Sequence, residues 1–292
     1  MDPEIGASFE FESLPAILIM RSRILLPQLL LSLGLVLGWV RSVEAGPVAI
    51  PHGTIELVGE TTSIEPAHRF YVGLNFRLEP GWHIYWINPG DAGEPPGVTW
   101  HLPAGIRAQQ IAWPVPKALP AFSDMDFGYQ DQVLLLVPMK VSAALAVSPA
   151  DIAAEVKLIV CREVCIPGKV QVALSVPVAN RAEAPNLAVR ELFDVSRKQM
   201  PRPAPTVWKF KVVSQEDSFR LTGAVGHPIA KAFFFPLESS QIENAAPQTV
   251  QPMERGFTMR LKKSERLLKP IRSLKGVLTL GDTAYAITAP VQ

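Results

Sequence analysis

Val156-Lys157-Leu158-Ile159-Val160-Cys161-Arg162-Glu163-Val164-Cys165-Ile166-Pro167-Gly168-Lys169-Val170-Gln171-Val172 holds both cysteines of the chain. Val156, Leu158 and Val160 alternate with Glu155, Lys157 and Ile159, and Val170, Val172, Leu174 and Val176 alternate with Lys169, Gln171 and Ser175. Period-two alternation on both sides of a short connection predicts a half-buried β-hairpin. The parity carries Cys161 onto the polar side of its strand and leaves Cys165 in the connection, so both sulfurs are expected near the surface.

Working outward, Thr54 to Leu57, Phe70 to Leu78, Val98 to Leu102 and Gln132 to Val141 read as further strands. Trp82, Tyr85 and Trp86 fall within an aromatic strand between two turns, Glu79-Pro80-Gly81 and Asn88-Pro89-Gly90-Asp91-Ala92-Gly93. Aromatic strands of this kind pack into cores more often than they line grooves. Ile111 to Pro116 is expected as an edge or irregular segment, because its prolines cannot donate to a ladder. Phe122 to Tyr129, with Asp124 and Asp126, reads as a loop.

After Asn180 the pattern changes. Val189, Leu192, Phe193, Ser196 and Met200 recur at helical spacing, and Pro201, Pro203 and Pro205 end the helix in a stiff linker. Short strand-like runs follow, from Trp208 to Val213, Phe219 to Thr222, Ala232 to Phe235, Phe257 to Leu261, Gly276 to Leu280 and Ala284 to Ala289, as in a second β-sandwich. The expected organisation is all-β: upstream residues and a signal at 1–45, a cysteine-bearing sandwich at 46–180, a helix and Pro-rich linker at 181–205, and a sandwich without cysteines at 206–292.

The 292 residues carry a formal net charge of only +1 with dispersed lysines and arginines, which argues against nucleic acid as a partner. Met20-Arg21-Ser22-Arg23, an apolar run from Ile24 to Val40, and small residues at Val43 and Ala45 have the three parts of a secretory signal cleaved after Ala45. Residues 1 to 19 then precede the signal, and the mature protein is expected in a compartment where disulfides form, the periplasm.

Two cysteines at this spacing admit a structural clip, a redox pair or a soft-metal site. Fully extended, four residues would separate the Cα atoms by about 13 to 14 Å. A disulfide needs about 4.4 to 6.8 Å, so a bridge requires the connection to turn. A five-residue ring stabilises by only about 2 kcal/mol on the loop-entropy model, which weakens the purely structural reading. For exchange, Arg162 and Lys169 would favour a thiolate and Glu155 and Glu163 would oppose it. Cu(I) suits two thiolates, while a zinc site would have to recruit distant histidines such as His83 and His101. No cofactor is implied. Hydrolase motifs are missing, Asp124 with Asp126 reads as two solvated carboxylates, and His227 before Pro228 as a turn residue.

Gly81 to Gly93, Phe127-Gly128-Tyr129-Gln130-Asp131, and Val160-Cys161 to Cys165-Ile166-Pro167 together resemble the periplasmic N-terminal region of the DsbD and ScsB thiol:disulfide interchange proteins. The second half is similar to the cysteine-free sandwich of the ScsB-like branch. The resemblance implies immunoglobulin-like sandwiches, a redox-active Cys161–Cys165 disulfide and protein-disulfide reductase activity. The implied electron donor is a membrane thiol-reductant transporter, and the implied acceptors are periplasmic proteins of thioredoxin fold. It further implies that Asp126 and Phe127 belong to a cap over the cysteines, with Tyr85 beside the site. Trp86, Tyr129 and Pro167 complete the expected lining. The relatives continue into membrane and thioredoxin-like domains that the sequence to Gln292 does not contain, so other chains are expected to complete the relay. Two alternatives stay open: a binding module with a structural disulfide and a groove lined by Tyr85, Trp86 and Tyr129, and a copper-handling dithiol linked to copper tolerance.

Overall fold

Alternation of apolar and polar residues sets the architecture of the computed structural model, which describes residues 46–181 and 185–292. The proposed signal segment lies outside the described residues. Among the described residues eleven strands precede a helix: β1 (Val48–Ile50), β2 (Gly53–Gly59), β3 (Arg69–Leu78), β4 (His83–Gly90), β5 (Gly97–His101), β6 (Ile106–Ala108), β7 (Lys117–Ala121), β8 (Asp124–Gln130), β9 (Gln132–Val141), β10 (Ala150–Cys161) and β11 (Cys165–Val176). They form one sheet in the order β1-β2-β3-β9-β6 and another in the order β11-β10-β4-β8-β7, with β5 also paired to β10. Residues from both sheets, among them Leu74, Phe76, Ile84, Leu135, Val137, Val156 and Val160, share one core.

The hairpin forms in the register its alternation demands, with Val156 opposite Val170 and Cys161 opposite Cys165. Ile152, Ala154, Val156, Leu158 and Val160 face the core and are buried. One expectation fails here. Cys161 does lie on the outer face of β10, yet only 2 % of it is exposed, whereas Cys165 is exposed. Parity fixed the face, but burial on that face is decided by other segments that cover it.

A second correction concerns Phe122 to Tyr129. Only its start is a turn, and β8 is a strand paired to β4 on one side and β7 on the other. Its carboxylates and Gly128 suggest a loop, although Met125, Phe127 and Tyr129 alternate with Asp124, Asp126 and Gly128 at strand period. Gly128 serves close strand pairing: a Cβ there would stand 2.2 Å from the Ile84 carbonyl oxygen.

The helix α1 (Arg190–Lys198) lies where its apolar spacing places it. Phe193 packs with Val58, Leu134 and Leu136, and Ser196 Oγ donates to the Leu134 carbonyl at 2.8 Å. Beyond it come β12 (Arg202–Pro203), β13 (Lys209–Ser214), β14 (Ser218–Ala224), β15 (Ala232–Pro236), β16 (Thr249–Met253), β17 (Gly256–Lys262), β18 (Ser273–Leu280) and β19 (Thr283–Pro290). These make two four-stranded sheets, β12-β19-β18-β15 and β13-β14-β17-β16, around a second core that includes Leu221, Phe234, Phe257 and Leu278. The proline segment expected as a linker instead contributes β12, paired in parallel with β19. Of the strands the sequence did not announce, β1 and β6 are three residues long, and β7, β12 and β16 each contain proline and each end a sheet, where a missing donor costs no ladder hydrogen bond.

The two pairs of sheets are joined by packing as well as by chain. Phe235 and Val277 belong to the core of the first pair, and Phe235 meets Phe127 and Trp86 edge-on at ring separations of 5.2 and 6.3 Å. Asn88 Nδ2 donates to the Pro236 carbonyl at 2.7 Å.

Candidate functional site

Strands β10, β4 and β8 build the site by aligning their outer faces. Cys161 pairs with His83, and His83 pairs with Gln130. Tyr85 pairs with Gly128, and Asp126 follows two residues before it on the same side of β8. Residues of opposite parity, Ile84, Trp86, Phe127 and Tyr129, point into the core. Side chains from three strands therefore converge beside the sulfurs: Cys161, His83, Tyr85 and Asp126.

Cys161 and Cys165 are joined in a disulfide with a Cα–Cα separation of 4.2 Å. The connection is only Arg162-Glu163-Val164, tightened by a hydrogen bond from the Arg162 amide to the Val164 carbonyl. The Tyr85 hydroxyl lies 3.6 Å from Cys165 Sγ and can donate to it. Burial raises the Tyr85 pKa well above the ordinary phenol range, and the charge of Asp126 adds to the shift. The phenol therefore keeps its proton throughout the neutral range and remains a donor.

His83 Nε2 faces Asp126 Oδ2 at 3.6 Å and makes no hydrogen bond, and both residues are at least nine-tenths buried. The His83 ring meets Tyr85 edge-on with centroids 5.1 Å apart. The cover over this face is the turn that follows β4. Gly93 has φ +77°, and a Cβ added there would lie 2.1 Å from the Tyr85 ring, so only glycine permits this approach. The Ala92 amide donates to Asp126 Oδ1 at 3.3 Å, and the Met125 amide donates to Asp91 Oδ2 at 2.8 Å. From the second pair of sheets, Asn244 Nδ2 donates to Asp91 Oδ1 at 2.7 Å.

Several expectations are redistributed by this geometry. Asp126 is at the site, but Phe127 faces the other way, fully buried against Phe233 and Phe235, so it does not cap the sulfurs here. Alternation along β8 cannot put two consecutive side chains on one face. The same rule separates Tyr85 from Trp86 and Tyr129, so those three line no common groove. Tyr129 donates its hydroxyl to the Pro114 carbonyl at 2.7 Å and is buried. Pro167 sits exposed on β11, opposite Ile159.

The charges expected to tune the thiols are engaged elsewhere. Lys169 pairs with Glu155 at 2.8 Å and Arg162 with Glu163 at 3.5 Å, while the Arg162 guanidinium lies over the Trp82 ring. The hydrogen bond from Lys169 holds the Glu155 carboxyl below its usual range. His101 pairs with Ala153, eight residues along β10 from Cys161, or roughly 26 Å, and cannot join His83 at one metal. Among the described residues no three His, Cys, Asp or Glu side chains gather as a metal site. Sequence reasoning used His83 only as a remote zinc ligand and missed it as a neighbour of Cys161. The Asp91-Ala92-Gly93 turn was visible as a turn but not as a cover.

Residues 58–177 match the family model described as thiol:disulfide interchange protein DsbD, N-terminal. The structure is similar to the crystal structure of the N-terminal periplasmic domain of ScsB from Proteus mirabilis, with a TM-score of 0.65 and 15 % identity over 85 % of this chain and 98 % of that one. No curated protein matches. Residues 58–177, which make up most of the first pair of sheets, are thus similar to the N-terminal domain of DsbD, and the Cys161–Cys165 disulfide lies within the residues matched.

Proposed function

We propose that this protein carries electrons by thiol–disulfide exchange through Cys161 and Cys165, with Cys165 as the sulfur that joins the partner. The observation that carries this reading is the asymmetry of the bridge, one cysteine buried at 2 % exposure and the other exposed at the hairpin end. Exchange requires in-line approach of a thiolate to one sulfur while the other leaves, and only the exposed one offers that approach.

In the reducing half-cycle, a donor thiolate attacks Cys165 Sγ. A bond forms between donor and Cys165, the Cys161–Cys165 bond breaks, and Cys161 leaves with the electron pair. The second thiol of the donor, deprotonated, then attacks the donor's own sulfur and releases Cys165. The donor dithiol has become a disulfide and the bridge a dithiol. Running the sequence in reverse against an acceptor disulfide delivers the two electrons. Tyr85, held protonated beside Cys165 Sγ, donates a hydrogen bond to the thiolate that each half-cycle generates there.

A membrane thiol reductant as donor and a thioredoxin-fold acceptor, both in the periplasm, fit this chemistry and the kind of domain matched. Equilibration with thiol redox buffers, read by alkylation of free thiols, tests it. A reduction potential above about −300 mV and reversible exchange with a thioredoxin-fold dithiol are expected, whereas a bridge that stays oxidised below that potential is a structural clip.

A further inference from the structure

The exchange reading leaves one problem unsolved, the fate of the sulfur that departs. Cys161 is almost wholly buried, and a thiolate released there is costly unless a proton or a positive charge meets it. We propose that His83 is the proton-transfer group for Cys161, held in place by Asp126, so that the buried sulfur leaves as a thiol without contact with solvent. This inference rests on the exchange reading and adds to it the handling of the buried sulfur.

Four observations converge on it. His83 and Cys161 are directly opposed in register, which places their Cβ atoms about 4.5 to 5.5 Å apart on one face. His83 is buried with its Nε2 free of any hydrogen bond, an uncommon condition for a ring of two polar nitrogens. Among the described residues its near anion is Asp126 on β8, at 3.6 Å. From its own strand the titratable neighbour is Tyr85, and from β10 it is Cys161. The other nearby charges are occupied: His52 with Glu79 at 2.8 Å and stacked on Trp82, and Arg162 with Glu163 and Trp82.

The step balances simply. As the donor sulfur bonds to Cys165, the electron pair of the broken bond stays on Cys161. Protonated, the His83 imidazole gives its proton to that sulfur and becomes neutral, with the Asp126 carboxylate 3.6 Å from its Nε2. In the oxidising direction the neutral imidazole takes the proton from Cys161 as its sulfur attacks Cys165.

Stopped-flow opening of the oxidised full chain by dithiothreitol, across about pH 6 to 9, reads this step independently of any physiological partner. His83→Gln is expected to slow opening about a hundredfold or more near pH 6, the lower end for a lost proton donor, with the ratio to wild type shrinking as pH rises. Asp126→Asn is expected to give a smaller deficit with the same pH trend. A deficit that is equal at every pH, or no deficit in either folded variant, overturns the proposal. Should His83→Gln fail to give native near-ultraviolet dichroism, Asp126→Asn decides alone by the same criterion. Because a small dithiol opens any accessible bridge, a failure here is distinct from failure of the carrier reading, which would show as absence of exchange with thioredoxin-fold proteins.

Discussion

The two faces of β4 and β8 are made by alternate residues of the same strands, and they are buried for opposite reasons. On the inner face Ile84, Trp86, Phe127 and Tyr129 are packed among apolar side chains of two cores. On the outer face His83, Tyr85 and Asp126 are as inaccessible, yet they are polar, share a face with Cys161 through its pairing with His83, and are covered by a turn held by hydrogen bonds. The inner face stabilises by removing apolar area from water. The outer face shields Cys161 from water while keeping a phenol, an imidazole and a carboxylate at hand. Alternation lets one strand do both without compromise.

Breaking the inner face should cost stability and leave the chemistry alone. Phe127→Ala is expected to destabilise by about 3 to 5 kcal/mol in denaturant unfolding, while the folded fraction opens its bridge at the wild-type rate. A changed exchange rate in the folded fraction would mean that Phe127 does act as a cap. The faces differ less in the next test. Tyr85 and Tyr129 both have pKa values raised by burial, so the folded state holds protons that the unfolded state loses near pH 10. Their contribution is fully present below that pH and declines above it, by about 1.4 kcal/mol per pH unit for each tyrosine. Unfolding measured between pH 9 and 11 should show the decline, and Tyr129→Phe should make it shallower.

A smaller effect separates the cover from the face beneath it. Asn244→Ala is expected to cost about 1 kcal/mol globally, but to accelerate amide hydrogen exchange selectively at Ala92 and Met125. Uniform acceleration would mean that the second pair of sheets does not hold the turn. Smallest of all, Glu155→Gln removes an exposed pair with Lys169 whose low carboxyl pKa matters only as the pH falls through it. The thermal midpoint at neutral pH is expected to stay where it is, and a large shift would give the exposed hairpin charges a role they lack here.

These differences also show what sequence can specify. The hairpin register was legible because Val156, Leu158 and Val160 on one side of the turn and Val170, Val172 and Leu174 on the other keep strand period, and it placed both cysteines at one end. The burial of Cys161 was not legible, since it depends on β4 and on Asp91 to Gly93, some seventy residues earlier. β8 was hidden because Asp126 and Gly128, which serve the site and the close pairing, are also the residues of loops. The clamp from Asn244 lies 153 positions from its partner, and nothing local to either residue announces it. Resemblance grouped Asp126 with Phe127, whereas strand parity puts the two on opposite faces of β8.

The central claim is that the two cysteines are unequal, one exchanging and one shielded. The direct measurement is mixed-disulfide trapping with a thioredoxin-fold partner, using Cys161→Ser and Cys165→Ser and non-reducing electrophoresis. Cys161→Ser, which leaves Cys165 exposed, should accumulate the covalent complex, and Cys165→Ser should not. Equal trapping by both variants, or trapping through Cys161 alone, would contradict the account.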